Sequence, residues 1–198
     1  MMSSMNASRA LILDQVRHLY ASVVYTHKIQ EKQADIYFQC HRRSRILMIV
    51  LTTLSGGTFL VSLLNLVLSS SLAALGISCI SLLVSAINLT MKTFKYGEQM
   101  QKHRDVAAKI WSLRESYHSL MVDLQSETIT LEEGRERRDQ LQQEASQIYA
   151  NAPRTTNKAC KLAQKALHDD AESTYSEDEI NQLLPLNLRT TNGDSNGN

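Results

Sequence analysis

Four cations near the C-terminal end, Arg154, Lys158, Lys161 and Lys165, are spaced by four, three and four residues, which aligns them along one side of a helix. A basic stripe of this kind attracts phosphate, whether on a nucleotide or on an anionic lipid headgroup, and beside a charged membrane each such cation is worth about 1 kcal/mol. Its ordinary alternative is a solvated helix face. Arg135, Arg137 and Arg138 pose the same choice. A loop that cradles phosphate is missing, because the one Gly pair, Gly56-Gly57, lies in apolar sequence with no P-loop after it.

Catalytic patterns are absent from the sequence. The histidines His18, His27, His41, His103, His118 and His168 are scattered, and Cys40-His41 has no second pair at metal-ligand spacing. Asp169, Asp170 and Glu172 sit in a polar link, where acidic side chains are ordinarily solvated. We therefore expect a protein that is not an enzyme, with no catalytic residue, cofactor or metal. Cys40, Cys79 and Cys160 are an odd set with no pairing pattern, which speaks against a disulfide framework.

A second patterned face is uncharged. Ser71, Ala74, Ser78, Ser81, Ser85 and Asn88 recur at helical spacing, while Leu, Ile and Val fill the positions between them. Upstream, Thr52, Ser55 and Ser62 lie on a similar stripe beside Gly56-Gly57. Small residues let membrane helices approach closely and hydrogen-bond across their interface, so one reading is a packing face. The other is a hydrated pathway lined by several copies of the chain, since two helices cannot enclose a pore. Without an intramembrane charge there is no voltage sensor, proton relay or strongly selective ion site.

The elements that position these residues follow from residues 46–91, which contain no Asp, Glu, Lys, Arg or His. About 20 apolar residues span the bilayer as a helix, and this run is about twice that length. Two spans fit, at about residues 46–68 and 72–89, turning around Ser69, Ser70 and Ser71. Backbone polar groups in lipid must be satisfied locally, which favours two helices over a re-entrant coil. Arg42, Arg43 and Arg45 precede the first span, Lys92 and Lys95 follow the second, and the turn carries no positive charge. By the positive-inside rule both termini face the cytoplasm. The net charge of +1 hides a basic N-terminal arm and a mildly acidic C-terminal region.

Residues 1–10 are polar and expected to be disordered. From Leu11, the positions Leu13, Val16, Tyr20, Val23, His27, Gln30, Ala34 and Tyr37 mark one side of a long helix that continues into the first span. Residues 92–189 read as further cytosolic helices packed in a bundle. Phe94 and Tyr96 suit a membrane interface, and Gly97 marks a bend. Val106, Ile110, Leu113, Tyr117, Leu120 and Leu124 form an apolar seam that should pack against the N-terminal helix. Thr130 to Glu133 reads as a capping box opening a helix to about Ala150, with Leu141, Ala145 and Ile148 facing inward. A further helix covers about residues 156–167. Ser176 to Glu179 opens a last short helix that Pro185 stops, and residues 190–198 are a polar tail expected to be disordered.

Several of these pieces resemble the SLATT family, the SMODS and SLOG-associating 2TM effector domains of bacterial conflict systems. Tyr25-Thr26-His27-Lys28 with the run from Glu31 to Tyr37 is similar to that family's N-terminal helix, and Gly56-Gly57 lies in a similar close-set hairpin. Ile148-Tyr149, Ala152-Pro153, the run from Ser176 to Pro185, and Leu188-Arg189 resemble its ending. The likeness spans about residues 11–189. It implies an inner-membrane effector of antiviral defence that breaches the membrane when a nucleotide-signalling system or a partner triggers it. The expectation is thus an all-α, two-span protein whose partners are the lipid bilayer, further copies of itself and a nucleotide signal or signalling enzyme, with no nucleic acid. A non-conducting anchor that recruits a cytosolic partner and a holin-like lysis protein are the alternatives.

Overall fold

The computed structural model describes residues 2–55, 70–170, 172, 175–185, 187 and 189. Among these residues the chain forms α-helices and no strand: α1 (Met2–Ser55), α2 (Ser70–Phe94), α3 (Tyr96–Gln125), α4 (Leu131–Ala150), α5 (Asn157–His168) and α6 (Glu177–Leu183). Two compact units divide the chain, Met1–Ala163 and Gln164–Asn198.

In the first unit α1 and α3 lie antiparallel along most of their shared length, as the apolar spacing requires. Val106, Ile110, Leu113, Tyr117, Leu120 and Leu124 are all buried, and Ile12, Val16 and Val23 meet them from α1. α4 closes over the open end of this pair, with Ala145 buried and Leu141 and Ile148 packed against the core. Thr130 starts α4 as expected, its hydroxyl accepting from the Glu133 amide at 3.2 Å while Glu133 accepts from the Thr130 amide at 2.8 Å. These bonds from Thr130, the backbone one first, hold the Glu133 carboxyl below the usual range.

Two local features differ from the sequence reading. α1 begins at Met2, well before Leu11, and Arg9 on this extra stretch donates to the carbonyls of Leu124 at 3.1 Å and Ile129 at 3.3 Å. The guanidinium thereby bonds one of the last carbonyls of α3 and one in the connection to α4. The bend expected at Gly97 falls instead at Lys95, whose left-handed backbone (φ 44°, ψ 46°) separates α2 from α3. Gly97 itself is helical and has room for a side chain, since a Cβ there would stand 3.5 Å from the His41 ring, an ordinary contact.

In the second unit, α6 carries the expected capping box, with Ser176 Oγ accepting from the Glu179 amide at 3.3 Å and Glu179 accepting from the Ser176 amide at 2.8 Å. Arg189 Nε donates to the Leu184 carbonyl at 2.9 Å just beyond the helix. The tail at 190–198 lies outside the described residues.

Candidate functional site

The membrane segment is only partly described. One helix among the described residues is long and apolar enough to cross a membrane; the stretch begins at Ala74, and none of its apolar window is buried inside the protein. A core helix of a soluble protein would be covered, so this exposure separates the two cases. α2 contains the whole of the expected span at 72–89. Of the other span, α1 supplies helix as far as Ser55, and Gly56, Ser62 and Ser69 lie outside the described residues; Ser70 and Ser71, expected in the turn, already belong to α2. Among the described residues one span is seen, and its helix α2 contacts α1.

α2 presents three distinct sides. Ile77, Ile80, Val84, Ile87 and Met91 are half-buried and recur at helical spacing. Leu75, Leu82 and Leu89 form an exposed aliphatic side. Between these two, Ser71, Ala74, Ser78, Ser81, Ser85 and Asn88 are all exposed. Ser78 Oγ turns back to the Ala74 carbonyl at 2.9 Å, and Thr52 Oγ1 likewise donates to Met48 and Ile49 carbonyls on α1. A hydroxyl bonded to its own helix needs no partner across an interface.

The flanking cations stand where the sequence places them. Arg42, Arg43 and Arg45 on α1, Lys92 in the last turn of α2 and Lys95 just beyond it are exposed. Lys95 pairs with Glu98 at 3.2 Å, and Glu98 with Lys102 at 2.9 Å. Hydrogen bonds from Lys102 and then Lys95 keep the Glu98 carboxyl below its ordinary range. Phe94 and Tyr96 stack at 5.7 Å on either side of the break, and Tyr37 of α1 reaches Tyr96 at 6.2 Å.

The basic stripe is divided by the structure. Lys158, Lys161 and Lys165 are exposed along α5, but Arg154 precedes that helix in the connection from α4. The proline at 153 and the extended residues after it delay the helix start to Asn157, so the four cations do not share one helical face. Of the other arginines, Arg137 pairs with Asp123 at 2.7 Å, Arg138 with Asp139 at 2.6 Å and Arg135 with Glu132 at 3.5 Å. Those three tie α4 to itself and to α3.

The stripe read from spacing on α1 already held His27 and Gln30, and both are buried; Gln33 and, on α3, His103 are buried polar groups that it missed. His103 Nδ1 lies 2.5 Å from Gln30 Oε1, and Tyr37 stacks on the same imidazole at 5.5 Å. Gln33, 1% exposed, accepts from both the amide and the hydroxyl of Thr156 at 2.8 Å. His27 lies 5.5 Å from the Trp111 ring, over which the Arg114 guanidinium sits at 4.5 Å. Burial pushes the His27 and His103 pKa values down. Among the described residues no cluster of His, Cys, Asp and Glu is arranged to hold a metal, and the three cysteines are free thiols.

Residues 12–179 match the family model of the SMODS and SLOG-associating 2TM effector domain family 4. No curated protein and no solved structure gives a significant match.

Proposed function

The chain belongs to the SMODS and SLOG-associating 2TM effector domains, family 4, and from that premise we propose that this membrane effector of conflict systems works by oligomerising and permeabilising the bacterial inner membrane. It crosses the bilayer twice with both termini in the cytoplasm, the five flanking cations lying on that side. A nucleotide signal or a partner enzyme provides the trigger, and no catalytic step is involved.

The observation that carries this reading is the exposed side of α2 formed by Ser71, Ala74, Ser78, Ser81, Ser85 and Asn88. A small, mildly polar face left uncovered within one chain gains most by meeting other copies. There it either packs closely or lines water. Lacking charge, the lining would pass solutes with little selectivity.

The test is leak of a trapped dye from vesicles across a protein-to-lipid series, with and without candidate cyclic nucleotides. Cooperative leak is expected. Ser81→Leu combined with Ser85→Leu should abolish it while insertion into the vesicles persists. Leak that survives the double substitution would remove the pore face, and silence under every condition would favour a non-conducting anchor.

A further inference from the structure

A cleft of about 240 Å³ opens between α1 and the start of α5, lined by Lys32, Asp35, Ile36, Gln39, Cys40 and Arg43 on one side and Lys158 and Leu162 on the other. The α1 residues recur every three or four positions, so they form a single side of that helix. We propose that this cleft binds an anionic phosphate group at the cytoplasmic edge of the membrane.

Three cations and one carboxylate line the cleft, leaving an excess of positive charge. Ile36, half-buried, and Leu162, 38% exposed, add apolar surface to the lining. Cations set beside apolar side chains fit a phosphate carried on a less polar body. Size narrows the choice further: enclosed sites for drug-sized ligands run to ~300–1,000 Å³, so this cleft holds a headgroup or a phosphate rather than a whole dinucleotide.

The cleft has a fixed frame. Gln33, buried on α1, takes both hydrogen bonds from Thr156, whose hydroxyl also accepts from the Ala159 amide at 3.3 Å. These contacts hold the first turn of α5 against α1, and Lys158 belongs to that turn. Ala159 and Ala163 are fully buried, so close packing also holds the stretch between them. At the other end Arg43 precedes the apolar run by only three residues. Lys32 lies about 16 Å farther along the axis at 1.5 Å per residue. The cleft thus extends from the level of lipid phosphates into the cytoplasm.

Phospholipid headgroups and soluble phosphates share this chemistry, and one experiment separates them. The full chain in a neutral detergent is titrated with phosphatidylglycerol, with phosphatidylcholine as the zwitterionic reference, and separately with inorganic pyrophosphate; bound adducts are counted by native mass spectrometry. Retention of phosphatidylglycerol over phosphatidylcholine assigns the site to lipid, and retention of pyrophosphate assigns it to a soluble ligand. Replacing Lys158→Gln together with Arg43→Gln should weaken the retained anion about 25-fold, at about fivefold per cation. Replacing Arg154→Gln with Lys161→Gln removes the same charge outside the cleft and should change it less than about twofold. Asp35→Asn should tighten binding severalfold, a gain that misfolding cannot imitate. Failure of the wild type to retain either anion, equal losses from the two charge-matched pairs, or unchanged affinity in Asp35→Asn would overturn the site. The membrane reading enters only through the position of Arg43, and no arm measures leak, so failure here leaves the pore proposal standing.

Discussion

His103 Nδ1 and Gln30 Oε1 meet at 2.5 Å in the α1/α3 seam, with the two residues 1% and 4% exposed. With the amide oxygen as acceptor, the imidazole must carry its proton on Nδ1 and donate it. Gln30→Leu keeps the bulk but leaves that N–H buried without its acceptor, which costs ~1–3 kcal/mol. Gln30→Leu with His103→Leu should recover most of the loss, because an apolar pair strands no donor. Urea unfolding of the four proteins, followed by circular dichroism, gives the coupling. Additive losses would show that the hydrogen bond is not what holds the seam.

Burial lowers the pKa of His103, and for His27 it acts together with Lys28 and Arg114 against the opposing pull of Glu31. Unfolded histidine takes up its proton near pH 6.5, so below that value the unfolded chain binds more protons than the folded one. Stability should be full above about pH 6.5 and decline as the pH falls through the depressed folded values. His103→Gln should flatten the decline. Measuring the denaturation midpoint from about pH 8 to about pH 5 checks this, and a flat wild-type profile would contradict it.

The phenol of Tyr117 is buried with no hydrogen-bond partner, and desolvation, reinforced by Tyr149 and Glu144, raises its pKa to about 12. The hydroxyl costs desolvation and returns no bond. Tyr117→Phe should therefore raise stability, by up to about 1 kcal/mol. A loss of that size would mean that the hydroxyl has a partner after all.

Two glycines on helices should respond oppositely to alanine. At Gly97 the new methyl meets the His41 ring at 3.5 Å, an ordinary contact, and the helix gains up to about 1 kcal/mol from the better former. At Gly134 it would stand 2.7 Å from Leu124 Cδ2, and Leu124 is fully buried and cannot swing aside freely. Overpacking of that kind costs ~1–3 kcal/mol, enough to outweigh the helix gain. Thermal melts of Gly97→Ala and Gly134→Ala should shift in opposite directions.

The two capping boxes, the apolar seam of α3 and the Ala145 side of α4 could all be read from spacing, because each depends on neighbours within one or two turns. The bend was placed two residues late, since glycine is the usual marker of a positive φ and Lys95 takes that conformation here. The Gln30–His103 and Gln33–Thr156 bonds join residues 73 and 123 positions apart. Spacing put Gln30 on the apolar side of α1 without naming its partner, and it left Gln33 off that side altogether.

By itself the sequence determined a helical chain with an uncharged membrane segment, its flanking cations and its family, because helix periodicity and lipid solubility are properties of short stretches. Only the tertiary structure decided which side of α2 is left uncovered and which of the basic residues converge. Ile77, Ile80, Val84, Ile87 and Met91 are half-buried, while the side bearing Ser71, Ser78, Ser85 and Asn88 is exposed. The Gln33–Thr156 anchor sets Lys158 opposite Lys32 and Arg43. Coverage and convergence depend on contacts between segments far apart in the chain, and spacing along one helix carries no record of them.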